Sequence, residues 1–116
     1  MDPDCLFCRI VSKDLPATVV YESDSTLAFR DIDPKAPVHV LVIPKDHHRD
    51  VATLAQADPV LTAEVLAAAA VVAEAEGLRP GGFRLIFNNG PDAGQEVFHV
   101  HAHVLGGRAL GPMVSP

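Results

Sequence analysis

Residues Phe98 to Leu105 read FHVHAHVL, and three of the six histidines of the chain, His99, His101 and His103, stand in this stretch at every second position. Successive side chains of a strand point to opposite faces, so the three imidazoles share one face while Val100, Ala102 and Val104 share the other. A helix would scatter them. Gly106 and Gly107 follow at once and close the segment. The spacing predicts a strand with its apolar face on a core and its imidazole face at an open site.

Three kinds of chemistry suit such a face. A single ion held by all three rings is disfavoured by reach: residues two apart on a strand rise by about 6.6 Å, which sets the outer pair about 13 Å apart at the backbone, against metal bonds of ~2 Å. A solvated face with no role would put three residues of middling strand preference where better strand formers exist. Phosphorus chemistry fits best. A neutral imidazole is a good nucleophile near pH 7, and a protonated neighbour can donate to phosphate oxygens or to a leaving group. Crowded rings also oppose one another's protonation, which holds neighbours in different states. His101, flanked on both sides, is the expected nucleophile and His103 the expected donor. His99 is the residue whose backbone or ring would hold the middle imidazole in its reactive tautomer.

A second group of reactive side chains stands at the start of the chain. Cys5 and Cys8 in CLFC have the spacing of half a tetrahedral metal site, and KDHH supplies His47 and His48. Reduced thiols or a metal half-site are expected there rather than a disulfide. The plainer alternative is two small buried residues of a short helix.

The elements that must position these groups are legible from pattern. The apolar spacing of Leu6, Phe7, Ile10 and Val11 predicts a short helix that stops before Pro16. TVVYES and TLAFRDI predict two strands joined by a turn over Glu22 to Ser25, and VHVLVIP a nearly all-apolar central strand ending at Pro44. Asp58 as N-cap, Pro59 at the first helical position and Gly77 at the end bracket a helix of about 18 residues, with Leu61, Val65, Ala68 and Val72 as its core stripe. GFRLIFNNG and the histidine segment complete five strands and two helices, connected mostly in hairpin fashion. The expected class is α+β with a five-stranded antiparallel sheet.

At 116 residues the chain suits a single domain, with a core from about residue 5 to 108 and a loose tail over 109–116. Fifteen acids against nine bases give a net charge of −6, with no basic cluster, which argues against nucleic acid as the main partner. No apolar run is long enough to span a bilayer, and the opening residues lack the basic start of a signal peptide, so no membrane partner and a cytoplasmic address are expected.

HVHAHVL resembles the alternating histidine signature of the histidine triad superfamily. The opening CLFCRI, RDIDPKAPVHVLVIPKDH (Arg30 to His47) and NNGPDAGQEVFHVHAHVLGGR (Asn88 to Arg108) extend the resemblance to its Hint branch, the histidine triad nucleotide-binding proteins, and especially to bacterial members. The resemblance implies a homodimer in which two five-stranded sheets join into one of ten strands. It also implies hydrolysis of purine nucleoside 5′-phosphoramidates of the AMP or GMP type, with no cofactor for catalysis. By this likeness His101 attacks the α-phosphorus to form a nucleotidyl-histidine, His103 contacts the phosphate and His39 supports His101. Asp31 matches the acid that holds the ribose hydroxyls, and Phe7, Ile10, Leu15, Phe29 and Ile32 match the apolar pocket around the base. Asn88, Gly94, Gln95, Glu96 and Val97 match positions near ribose and phosphate. A carboxylate for two hydroxyls, an apolar slot for a flat base and backbone N–H groups for an anion make sense independently. For Phe7, Ile10, Phe29 and Ile32 the alternative is a place in the core; for Asp31 it is a turn, and for His39 a buried structural role.

The likeness further implies a structural zinc on Cys5, Cys8, His47 and His99, which leaves His101 and His103 free. Two departures stand out. Glu96 replaces a serine of some members, so a hydroxyl for phosphate is lost and an acid takes its place. The tail ALGPMVSP lacks the tryptophan-bearing end of the animal proteins. Two rivals remain open: hydrolysis of dinucleoside polyphosphates, and a nucleotide-binding or scaffolding protein whose catalysis is incidental.

Overall fold

The computed structural model describes residues 3–114. Its elements are α1 (Leu6–Val11), β1 (Val19–Glu22), β2 (Thr26–Arg30), β3 (Val38–Pro44), α2 (Val51–Ala57), α3 (Pro59–Ala75), β4 (Phe83–Phe87) and β5 (Ala102–Gly106), with a 3-10 turn at Pro91–Ala93. The strands form one antiparallel sheet in the order β1-β2-β3-β5-β4, so the expected α+β class and strand number hold.

The nearly all-apolar β3 lies in the middle because both its faces are covered. On one side Val40 and Val42 join Val100, Ala102 and Val104 against Leu61, Val65, Ala68 and Val72 of α3. On the other, Leu41 and Ile43 meet Phe29, Phe7 and Cys8, which places α1 over the opposite face. Asp58 caps α3 by accepting from the Leu61 N–H at 3.0 Å, Pro59 opens the helix, and Gly77, at φ +73°, turns the chain away after it.

Three features differ from expectation. Helix α2 is an additional helix: Asp50 caps it by accepting from Thr53 N–H at 2.9 Å, ahead of an alanine- and leucine-bearing stretch. Its seven residues are too few for a periodicity signal. The strand of the histidine segment starts at Ala102, not at Phe98. Val42 pairs with Ala102, and two residues further along β3 the partner is Pro44, which has no N–H to extend the ladder. His99 to His101 therefore form an extended lead-in, anchored by the Val100 N–H donating to the His48 carbonyl at 2.8 Å. The tail is tied down where it begins, since Arg84 Nη2 donates to the Gly111 carbonyl at 2.9 Å; its last two residues lie outside the described ones.

Candidate functional site

The alternation of FHVHAHVL survives the loss of ladder bonds. Val100, Ala102 and Val104 enter the core under α3, and the three imidazoles turn to the α1 side, where they separate into two environments. His101 and His103 line a cleft of about 700 Å³ together with His39, Asp31 and Lys35. His99 is fully buried beside the cysteines, so the open face predicted for all three rings holds only two of them.

Hydrogen bonds assign the protons of the cleft. The Lys35 backbone N–H donates to His39 Nδ1 at 3.1 Å, so that nitrogen is bare and the proton of His39 is on Nε2. Nε2 lies 2.9 Å from His103 Nδ1 and 3.4 Å from Asp31 Oδ2. His39 thus donates to His103, whose own proton is left on Nε2. That atom is buried and has no hydrogen-bond partner among the described residues. A buried, unsatisfied donor costs free energy unless a ligand meets it.

His101 is wired the opposite way. Its Nδ1 donates to the His99 carbonyl at 2.8 Å, which leaves the Nε2 lone pair without a hydrogen bond among the described residues. The edge-on ring of Phe7, 5.1 Å away at 90°, packs against the imidazole. His101 and His103 therefore differ: one has a bare Nε2 and the other an Nε2–H.

Burial, and then the positive charge that His101 or His39 would carry, push the His103 pKa down to about 4. His39 is lowered as well, by burial working against the nearby Asp31 carboxylate. The protonated donor expected at His103 is thus a neutral ring near pH 7, and it offers its N–H without a charge.

Around these rings stand most of the positions matched to the nucleotide. Phe7, Ile10, Phe29, Asp31, Ile32, Asn88, Gly94, Glu96 and Val97 all line the cleft. Phe7 and Phe29 also belong to the core on the α1 side and meet edge-on at 5.5 Å, whereas Ile32 is fully exposed at the rim. Gly94 sits at φ +88°, a conformation that favours glycine. Leu15 and Gln95 do not line the cleft. The Gln95 amide is consumed in the loop: Oε1 accepts from Gly90 N–H at 2.8 Å, and Nε2 donates to the carbonyls of Arg49 at 2.9 Å and Val97 at 3.1 Å. Its contribution is the shape of the 90–97 loop. Glu96 faces the cleft with no ion-pair partner among the described residues. The orienting N–H of Lys35 was the functional group missed in the sequence, because a backbone donor leaves no trace in residue type.

The second environment gathers Cys5, Cys8, His47 and His99, whose donor atoms all lie within 4.8 Å of one another. Cys5 Sγ is 3.3 Å from His99 Nδ1, and Cys8 Sγ is 3.4 Å from His47 Nδ1 and 3.6 Å from His99 Nδ1. Bonds of about 2.0 Å to nitrogen and 2.3 Å to sulfur in a tetrahedron place neighbouring ligand atoms about 3.3 to 3.8 Å apart, which these separations match. His99 Nε2 donates to the Pro44 carbonyl at 2.8 Å, and this leaves Nδ1 as the free lone pair. Such an outer carbonyl is the usual partner of a metal-bound histidine. Burial raises the Cys5 thiol and lowers His99 to about 4, so the ring stays neutral. His48 lies outside this group.

A five-stranded antiparallel sheet that turns alternate histidines toward a cleft defines an α+β protein of the histidine triad class. The chain belongs to the HIT family: the HIT domain model matches residues 12–110. It is 40% identical over 115 residues to the purine nucleoside phosphoramidase of Escherichia coli K12, covering 99% of this chain and 97% of that protein. It is 43% identical to the 14 kDa zinc-binding protein of Zea mays, over 94% of this chain and 86% of the other. Among solved structures, a HIT family hydrolase from Legionella pneumophila superposes with a TM-score of 0.89 at 48% identity, covering 93% of this chain and 96% of that one. No helix among the described residues is long and apolar enough to cross a membrane.

Proposed function

We propose that the protein hydrolyses purine nucleoside 5′-phosphoramidates through a covalent nucleotidyl-histidine. The observation that carries this is the opposed wiring of two rings in one cleft: a bare Nε2 on His101 and an orphaned N–H on His103. His101 Nε2 forms the bond to the α-phosphorus as the P–N bond of the substrate breaks, and the nitrogen, which takes a proton from solvent that the hydrolytic water later returns, departs as an amine. The ring keeps its Nδ1 proton against the His99 carbonyl and carries the charge of the intermediate. Water then takes the place of His101 on phosphorus. Over the cycle its oxygen ends on phosphorus and one of its hydrogens on the leaving nitrogen. His103 Nε2–H holds a phosphate oxygen, Asp31 takes the ribose hydroxyls, and Phe7, Ile10, Phe29 and Ile32 flank the base. The phosphoramidase activity named for the Escherichia coli relative supports the same reading.

Zinc on Cys5, Cys8, His47 and His99 is assigned a structural part, in keeping with the name of the maize relative and with the donor geometry. The chain acts as one domain with its core over about residues 5–108, as a cytoplasmic homodimer. Strand β4 ends the sheet with its outer edge unpaired among the described residues, and so leaves a place for a second sheet.

Incubation with adenosine phosphoramidate and acid-free trapping should show, by mass spectrometry, a nucleotidyl adduct on the peptide that holds His101. His101→Ala should show none and should still bind AMP. Turnover of that variant at the native rate ends the proposal. Sedimentation analysis tests the dimer, and a monomer at working concentration removes it.

A further inference from the structure

The peptide unit between His99 and Val100 is anchored at both ends. Its carbonyl accepts the His101 Nδ1 proton at 2.8 Å. Its N–H donates to the His48 carbonyl, also at 2.8 Å. Both anchors adjoin the thiol and imidazole cluster, for the His99 ring belongs to it and His48 follows its member His47. A third support has the same origin. Phe7 lies on α1 between Cys5 and Cys8, and its ring meets His99 at 5.9 Å and His101 at 5.1 Å, edge-on in both cases. The hydrogen-bonded anchors of the His101 ring and its Phe7 contact therefore all come from residues in or covalently next to that cluster, while the His103 ring, 5.0 Å away, packs on it from the cleft side.

We infer that the Cys5, Cys8, His47 and His99 cluster is a positioning device for the nucleophile, and that an ion bound there holds the 99–100 peptide so that His101 keeps its Nε2 bare. Between the thiols and the rings of the cluster stand sulfur–nitrogen contacts of 3.3 to 3.6 Å, weak as hydrogen bonds. An ion replaces these with bonds that fix His99 and His47 against α1. The peptide between them then has one orientation instead of several. His99, His48 and Phe7 are positioning residues in this scheme. None of them touches the reacting phosphorus.

The test uses the whole chain loaded with zinc, the same chain after chelation with EDTA, and His47→Ala. The His47 side chain is exposed, so its removal opens no cavity in the core. Three quantities are read: the nitrogen-15 shifts of the His101 ring, hydrogen exchange at the Val100 amide with β4 amides as reference, and kcat and KM for adenosine phosphoramidate. The loaded chain should show a single Nδ1–H tautomer. Emptying should mix the two tautomers, speed exchange at Val100 while β4 is unchanged, and lower kcat about tenfold with KM constant, as outer-sphere disruption commonly does. An unchanged tautomer and Val100 exchange after zinc loss, an equal loss of protection throughout the sheet, or failure of the chain to bind zinc overturns the inference. Only the kinetic arm rests on the phosphoramidase reading: no hydrolysis by the loaded chain ends that reading, and the ring and amide arms still decide the coupling.

Discussion

His99 and His103 are the same residue type four positions apart, on the same side of one segment, and both are pushed to about 4 by burial. Their surroundings give them different work. His99 has thiols at its Nδ1 and a carbonyl at its Nε2, a soft and closed set suited to an ion. His103 has another imidazole at its Nδ1 and no partner among the described residues at its buried Nε2, an arrangement open to a ligand. Residue type and spacing announce reactivity, while the partner of each ring nitrogen decides which reactivity it is.

The sharpest way to break this comparison is to delete one ring from each side. His101→Ala should lower turnover by a factor on the order of 10⁴ and leave zinc content and melting temperature near native, because it removes the proposed nucleophile. His99→Ala should forfeit both zinc and fold stability, by about 3 kcal/mol or more, because it empties a fully buried position and strands the Pro44 carbonyl. Metal analysis and thermal melts of the pair decide; matching profiles for the two variants would erase the distinction.

A smaller effect is expected from His39→Gln, which disturbs the donor that sets the His103 tautomer. Turnover should fall on the order of 10²-fold with KM little altered, read by steady-state kinetics. Loss confined to KM would move His39 from orientation to binding.

Acid should weaken the fold through His103. Its folded pKa of about 4 lies below the ordinary value of 6.5, so the neutral ring stabilises the native state fully above about 6.5. That contribution is lost as pH falls from 6.5 toward 4, since the unfolded chain takes up the proton first. Melting temperature should drop over this window in the native chain and less steeply in His103→Asn. The smallest change is reserved for the cleft rim: Glu96→Ser should tighten AMP binding about threefold at low salt by removing an exposed acid that lines the cleft. A calorimetric titration that shows weaker binding would mean that Glu96 contributes a contact rather than repulsion.

Much of this was legible from sequence because it depends on local chemistry. The caps Asp58 and Pro59 act within one helical turn, and the period of two in VHAHV shows which side chains share a face. What stayed hidden depends on partners far along the chain. The late start of β5 follows from Pro44, 58 positions before Ala102. Gln95 was matched to the nucleotide by resemblance alone; only the fold reveals that Gly90, Arg49 and Val97 have already taken its amide. The neutral state of His103 likewise comes from burial and from His39, 64 positions away in the chain.

Both working imidazoles are steered by main-chain groups, the Lys35 N–H for one branch and the His99 carbonyl for the other. Every amino acid except proline brings an N–H to position 35, and every one brings a carbonyl to position 99. The steering at position 35 is therefore nearly immune to point mutation, and its side chain can drift while the protons of the cleft stay where they are. Lys35→Pro is the one exchange there that would cut the chain of donors at its source.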